Sequence, residues 1–504
     1  MTPTQSPQPS SAFGLRWESD LFGPVPAWAV TPNIATIEAL SRQHLSADDL
    51  SVKFLTGGAF NKVYLITGSS DTIKDQKSCI FRATLPVEPF YKTASEVATL
   101  RLLRQCTSLP VPEVFAYDCT TENELGFEWI IMEKIPGVCL GEVWHDLSLE
   151  RKTIVVERLG QFSKELRGQC RFDAIGSLYQ HAELNEADSK VAVATDNNGF
   201  VIGPIVNSFI FAGKRKPLIE RDRGPYLSDR AYLLALMKVE LEDKKLLLEL
   251  TSRKRAAGVQ KAHSNDGDSE SDEDDLAADV PEIEETIQQL QQILPSLFST
   301  GMQEKGFVLR HHDLNRSNVM VDPTTLEITG IVDWECITTV PAWEDTYPQM
   351  LQGEDMEEQP EPLEPGDTDE FRLERWEKWE NTKLRKIFDQ AAGPGANNDK
   401  DGWDKRSFRE QLNLLELSTK MVKNWIIEYE KRQREPEREP ERDQSLSQSE
   451  SEIQSEGQSE GQSETRATPE RDQSESQSES EQGCCSTQSS VSELSESSLI
   501  SLKG

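Results

Sequence analysis

The spacing of apolar positions along this chain changes several times, and each change predicts a different kind of element. IATIEALSRQHL, from residue 34, has helical spacing and predicts a short amphipathic helix. From Ser51 the pattern becomes that of strands. VKFLTGGAFNKVYLIT predicts strand, glycine turn, strand, and SCIFRATLP predicts a third strand stopped by Pro86. TASEVATLRLLRQC returns to helical spacing, with Val97, Leu100 and Leu103 near one face. VPEVFAYDC and FEWIIMEKIPG then predict two more strands. The order over residues 51–135 is strand, strand, strand, helix, strand, strand. It fits a small β-rich lobe with one helix.

Helical patterns dominate the rest. They cover 148–170, 228–256 and 282–298. FVLRHHDLNRSNVMVD and LEITGIVDWE follow, two short apolar strands with polar residues between. After Pro341 the pattern is helical again, in FRLERWEKWENTKLRKIF and FREQLNLLELSTKMVKNWIIEYEKR, broken by GPGANNDKDG. The fold class this predicts is α+β: a small antiparallel-sheet N-lobe with one helix (51–135) and a larger, mostly helical C-lobe (136–433). Residues 16–50 read as an N-terminal extension with a short helix. Residues 1–15, an acidic insert at 258–281 and the tail 434–504 read as disordered.

Composition explains those last assignments. Of 504 residues, 36% are hydrophobic and 28% charged, and the formal net charge is −34. Residues 266–285 hold 11 acids and no Lys or Arg, and residues 354–370 hold 9 acids and none. The tail holds 17 acids against 6 bases and repeats Gln-Ser-Glu six times. These three stretches carry −31 of the charge, so the remainder is close to neutral. Such segments are solvated rather than packed. A general nucleic-acid or anionic-membrane binder needs a basic face, and neither partner is expected. No run of about 18 apolar residues predicts a transmembrane helix, and MTPTQSPQPSSAFGLRW does not read as a secretory signal. Eight scattered cysteines without a C-x-x-C pair read as reduced thiols of a cytoplasmic protein. The Ser-rich acidic tail is a candidate surface for protein partners.

The chemistry concentrates in His311-His312-Asp313-Leu314-Asn315-Arg316-Ser317-Asn318, which matches H-x-D-x-x-x-x-N. Fifteen residues after Asn318 comes Ile331-Val332-Asp333-Trp334, an apolar strand ending in an acid. The Asp-to-Asn gap is that of a kinase catalytic loop, and the following strand delivers a second metal-binding acid. Phosphoryl transfer asks little covalent help of a protein. It needs an aligned hydroxyl and counter-charge on the phosphates. In this reading Asp313 orients the acceptor hydroxyl and takes its proton. Asn318 and Asp333 offer a neutral and a charged oxygen to Mg²⁺, a hard ion that prefers such ligands.

HHDLNRSNVMVD followed by GIVDWE resembles the signature of the aminoglycoside phosphotransferase family, within the protein-kinase-like fold, and the chain looks like its fungal-type branch. The resemblance implies a bilobal fold and an ATP- and Mg²⁺-dependent transfer of the γ-phosphate to a small-molecule hydroxyl. In relatives the acceptor is an aminoglycoside, choline, homoserine or a sugar-like alcohol. It further implies that Gly57, Gly58, Ala59, Phe60 and Asn61 form the turn whose N–H groups cover phosphates. Arg82 stands where the fold usually has the strand Lys that meets the α/β-phosphates, and Glu96 where its helix partner stands. Arg can contact phosphate and pair with a carboxylate, with different reach and bulk. Glu133 to Ile135 would offer backbone groups to adenine. His311 would brace the catalytic loop, and His312 stands where the family often has Gly. Asp322 reads as a turn residue, and Trp334 replaces the Phe of D-F-G. Glu335 is open between the metal, the acceptor and neither. IGSLY at 175–179, Gly203-Pro204-Ile205 and Arg223-Gly224-Pro225-Tyr226 read as packing.

Two other readings stay open. A non-catalytic nucleotide-binding relative is favoured by Arg82 and the incomplete glycine loop, and opposed by intact Asp313, Asn318 and Asp333. A protein kinase is opposed by VDWECITTVPAWED, which leaves no activation loop of the usual kind and no A-P-E segment. Trp343, Trp376 and Trp379 read either as core or as an aid to a cationic acceptor.

Overall fold

The computed structural model describes residues 13–20, 23–47, 49–68, 78–197, 199–207, 223–256, 271–298, 306–363, 368–393, 400–415 and 418–434. Residues 1–12, residues 258–270 of the expected insert and the tail from 435 lie outside the described residues.

A hairpin that the apolar spacing does not predict comes first. β1 (Leu15–Asp20) pairs antiparallel with β2 (Gly23–Trp28). Pro24 and Pro26 hide β2 from a strand reading, because proline cannot donate to a ladder. A two-stranded ribbon has open edges that tolerate it. Then α1 (Ile34–Leu45) starts at Asn33, whose side chain accepts from the Ala35 and Thr36 N–H groups at 2.9 and 3.2 Å.

Five strands form the N-lobe sheet: β3 (Leu50–Gly57), β4 (Asn61–Gly68), β5 (Ser78–Thr84), β6 (Val114–Asp118) and β7 (Glu128–Glu133). Their order is β3-β4-β5-β7-β6, with every pairing antiparallel. Alternation along the central strands sorts the two faces. Cys79, Phe81 and Ala83 of β5 and Trp129 and Ile131 of β7 share one core with Ile37, Leu40 and Leu45 of α1. Ile130 and Met132 point the other way and pack on Val97 of α2 (Tyr91–Cys106). The short helix read as an extension is therefore a cover for the sheet, whose central strands β5 and β7 are buried from both sides.

β8 (Val138–Cys139) and α3 (Leu140–Val143) lead to α4 (Leu149–Gln169). The segment after α4, in which IGSLY and Gly203-Pro204-Ile205 read as packing, forms β9 (Arg171–Phe172), β10 (Ser177–Gln180), α5 (Glu186–Val191), β11 (Val193–Ala194) and β12 (Phe200–Gly203). Strands β10, β12 and β11 make a small sheet against α2, where Tyr179, Val201 and Val206 meet Ala94, Leu85 and Val87. Polar contacts add to it: Arg223 donates to Glu88 at 2.8 Å, and the Tyr91 hydroxyl to Asp188 at 2.7 Å. Tyr226 pairs with Ile175 across an isolated bridge.

The C-lobe continues with α6 (Asp229–Ala256) and α7 (Ser271–Leu297). α7 begins inside the acidic stretch expected to be disordered to 281. Acids in the first turns of a helix are favoured by the N-terminal end of its dipole, so charge alone did not mark this stretch as unfolded. β13 (Phe307–Arg310) lies between β9 and β16 (Thr338–Pro341), while β14 (Val319–Val321) lies between β8 and β15 (Ile328–Ile331). α8 (Glu370–Ala392) packs closely on α4: a Cβ at Gly160 would sit 2.8 Å from both the Phe388 carbonyl and the Ala391 Cβ. The single helix expected over FREQLNLL…YEKR is two, α9 (Lys400–Leu414) and α10 (Thr419–Arg434). These pack on α6 and α7 around Leu233, Ile287, Phe408 and Ile426. Trp343 is buried among them and donates to Asp229 at 3.2 Å, so it is core rather than an acceptor contact.

One buried acid stands out in this frame. Phe90, just before α2, has φ +71°, and its N–H donates to Glu128 of β7 at 3.1 Å. Glu128 is 0% exposed, its other oxygen has no hydrogen-bond partner among the described residues, and burial pushes its carboxyl up to about 7. The folded chain thus binds this proton more tightly than the unfolded chain, whose glutamate titrates near 4.5. Glu128 therefore contributes stability that is complete below the lower value and is lost as pH rises through the upper one. Glu128→Gln is expected to flatten that fall in thermal melts between about pH 5 and about pH 8, and to be the more stable protein at the alkaline end by on the order of 2 kcal/mol. Parallel pH profiles for the two proteins would refute the assignment.

Candidate active site

The loop from 311 to 318 runs from β13 to β14, and Asp333 follows β15. The two meet at one residue. The Val332 N–H donates to the Asn318 carbonyl at 2.9 Å, and the Val332 carbonyl accepts from His311 Nε2 at 3.0 Å. His311 is buried, its ring edge rests on Trp334 at 4.6 Å between centroids, and burial pushes its pKa down to about 4. It is a neutral brace for the loop, as the resemblance implies.

Asp313 faces solvent from the loop. Asn318 Nδ2 donates to its carbonyl at 2.8 Å and to its Oδ2 at 3.0 Å, and Asn315 Nδ2 donates to its Oδ1 at 2.8 Å. These bonds use the amide nitrogen of Asn318 and fix its rotamer. Asn318 and Asp333 line the same cleft. Their two oxygens are a donor set suited to Mg²⁺, which keeps waters and phosphate oxygens for its other positions. Among the described residues no group of three or more His, Cys, Asp or Glu forms a ready metal cage.

The cleft has a volume of about 430 Å³, a size suited to a small ligand. Thr56, Gly58 and Asn61 form part of its roof, Arg82 and Glu96 its inner wall, and Glu133, Lys134 and Ile135 its outer edge. Of the five turn residues, Gly58 and Asn61 face it, whereas Gly57, Ala59 and Phe60 are not among its lining residues. Gly58 donates its N–H to the Asn61 carbonyl at 2.9 Å, and a Cβ there would meet nothing within 4 Å. The turn thus leaves open space above the cleft. Phe60 instead sits beneath the Lys92 ammonium, 5.8 Å from its ring centroid. The Glu133 N–H already donates to the Glu113 carbonyl at 2.8 Å, so Glu133 does not offer it to a ligand.

Arg82 forms a buried ion pair with Glu96, and its Nη1 lies 3.8 Å from Asp333 Oδ1. Burial opposes the charge on Arg82, but Glu96 and the other acids around it outweigh burial and hold the cation. Asp333 is pushed up to about 7, first by burial and then by the charge of Glu335, with Arg82 opposing. Its φ is +64°. Trp334 beside it is 1% exposed and donates from Nε1 to the Ile331 carbonyl at 2.9 Å.

Glu335 is not among the residues lining the cleft. It accepts from Asn61 Nδ2 at 2.6 Å and pairs with Lys92, which is 1% exposed. Lys92 escaped the sequence reading. Its signal was its spacing: four residues before Glu96, it lies on the same face of α2. The His312 ring turns to the Thr338 hydroxyl of β16 at 2.7 Å. Asp322 is a turn residue, accepting from the Thr324 and Thr325 N–H groups at 2.9 and 2.8 Å. Trp376 and Trp379 contact each other at 5.1 Å and are half-buried.

Known proteins resemble this chain in sequence and shape. A subtelomeric hrmA-associated cluster protein of Aspergillus fumigatus is 29% identical over 356 residues, which span 66% of this chain and 66% of that one. Altered inheritance of mitochondria protein 9, mitochondrial, of Candida tropicalis is 28% identical over 286 residues, 52% of this chain and 43% of that one. The chain spans less than two thirds of either relative. Among solved structures, a spectinomycin phosphotransferase in complex with ADP and spectinomycin aligns with a TM-score of 0.37 at 11% identity, covering 77% of this chain and 86% of that one. A streptomycin–ATP complex of APH(2″)-IIa aligns with a TM-score of 0.36 at 15% identity, covering 77% and 99%. The profile of the phosphotransferase enzyme family matches residues 51–380, from β3 into α8 and through every residue that lines the cleft, and the chain belongs to that family.

Proposed function

We propose that this protein transfers the γ-phosphate of Mg-ATP to a hydroxyl of a small molecule. The observation that carries the reading is the double clamp on Asn318. Its side chain holds Asp313, and its backbone holds the strand that delivers Asp333. A base for the acceptor and two oxygen ligands for the metal are thereby fixed beside one cleft. Asp313 would accept the hydroxyl proton, and Arg82 would meet phosphate oxygens from the inner wall. Bound Mg²⁺ would supply positive charge to the phosphates through Asn318 and Asp333. The amides of 134 and 135 lie along the edge where adenine would rest.

A small acceptor suits the loop after Asp333. Only residues 334–337 separate it from β16, which leaves no platform for a peptide substrate. A cytoplasmic setting belongs to the proposal, as does a protein partner for the tail.

Arg82 in place of lysine favours a second reading, nucleotide binding without transfer. Two variants separate the readings. Asp333→Asn is expected to lower Mg²⁺-dependent ATP affinity by about tenfold or more, measured by calorimetry. Asp313→Asn is expected to keep that affinity and to lower transfer of labelled phosphate into a small-molecule fraction by about a hundredfold or more. Full turnover in Asp313→Asn would remove it as the base, and Mg-ATP binding with no transfer by the wild-type protein to any fraction would favour the second reading. Arg82→Lys is expected to weaken ATP binding by about tenfold, because the surrounding packing is built to the reach and planar fork of a guanidinium, and the shorter, compact ammonium would have to satisfy Glu96 and phosphate from a different place. Unchanged binding in that variant would show that Arg82 does not touch phosphate.

A further inference from the structure

We propose that Glu335 is a positioning residue: by holding Lys92 and Asn61 it keeps Asp333 turned into the cleft. The inference rests on the phosphotransfer reading and deepens it. Asp333 and Cys336 have φ values of +64° and +56°. That conformation is uncommon for a residue with a Cβ, less so for Asp than for Cys, and surrounding contacts help to hold it. Glu335 lies between the two. Without a constraint there, both peptides would relax toward ordinary angles, and the carboxyl of Asp333 would swing away from Asn318.

The constraint is a largely buried carboxylate, its side chain 14% exposed, with partners on two other elements. Lys92 belongs to α2, one helical turn before Glu96. Asn61 opens β4, directly after the turn above the cleft, and donates to Glu335 at 2.6 Å. Asn61 is itself fixed from both sides, since its Oδ1 accepts from the Thr84 hydroxyl at 3.2 Å and from Lys92 Nζ at 3.4 Å. One carboxylate thus joins the phosphate turn, the helix of Glu96 and the loop of Asp333. Neither Lys92 nor Glu335 is among the residues lining the cleft, so the pair acts through the residues it holds. The burial of Lys92 makes the tie specific: its ammonium has almost no water to turn to, so it holds the Glu335 carboxylate in one geometry.

The test uses the full chain with Glu335→Gln, and with Lys92→Met/Glu335→Gln, which removes both charges and leaves no lone buried ion. Hydrogen exchange is read first, without nucleotide. Amides of residues 333–336 are expected to exchange about tenfold faster or more in both variants, while those of β5 and β7 stay within about threefold of wild type. Calorimetry with two probes is read next. Mg-ATP affinity is expected to fall about tenfold or more, while adenosine affinity stays within about threefold, because adenosine does not reach the Asp333 loop. Unchanged exchange and Mg-ATP affinity in the double variant would overturn the proposal. Adenosine and Mg-ATP affinities that fall together would also overturn it, showing a general support for the fold. Wild-type protein that binds adenosine but not Mg-ATP would overturn the phosphotransfer reading and this role with it. Wild-type protein that binds Mg-ATP while the variants do so equally well would overturn this role alone.

Discussion

Val332 gives both of its backbone groups to the loop that carries Asp313. Its N–H meets the Asn318 carbonyl and its carbonyl meets His311. Both groups find their partners on a different strand connection. The register between the 311–318 loop and the end of β15 is therefore set by hydrogen bonds that do not involve any reacting group. Asp313, Asn318 and Asp333 inherit their relative positions from that register. Trp334 closes it from behind, packed on the His311 ring and bonded to the Ile331 carbonyl. A large indole held at both ends is a poor hinge, so this loop lacks the freedom of a swinging aromatic.

The seam between the lobes is built differently, from charge. Around α2, Arg82, Glu96 and Lys92 are withdrawn from water and Glu335 is largely so. Ion pairs of this kind contribute little net stability, because desolvation offsets the attraction. Their value is directional: each charge has few acceptable partners, so α2 has few acceptable positions. Apolar packing alone would fix it less well. The sheet adds Ile130 and Met132, and the small sheet of β10 to β12 adds Tyr179 and Val201, as non-directional contacts. Arg223 with Glu88 and Tyr91 with Asp188 repeat the device at the start of the helix.

What the sequence disclosed follows from how local each signal is. Asp313, Asn318 and Asp333 lie within about twenty residues, and their chemistry constrains their spacing, so a linear reading finds them. The alternation in β5 and β7 and the helical spacing of α2 are local in the same way. Lys92 is not. A lysine in YKTASE reads as a solvated helix start, and only the approach of a carboxylate 243 residues later makes it a core residue. Glu335 stayed open for the same reason. Phe60 and Ala59 were grouped with the turn by adjacency, whereas a hairpin sends neighbouring side chains in different directions. The β1–β2 hairpin was masked by its prolines, and the start of α7 by its acids. In both cases a composition rule stood in for geometry.

Arginine at position 82 fits the packing that surrounds it. A lysine there would carry its charge at a point, on a single nitrogen. The guanidinium pairs with Glu96 through one nitrogen and presents another 3.8 Å from Asp333. It therefore relieves part of the repulsion that Glu335 imposes on Asp333, at the place where burial already works against the carboxylate. A loop with acids two residues apart, one turned into the cleft and one turned away, needs cations on both sides. Arg82 stands on one side and Lys92 on the other. The departure from lysine is thus coupled to the DWE sequence of this chain, and the two features are best understood as one electrostatic arrangement rather than as a lost residue beside an unrelated acid.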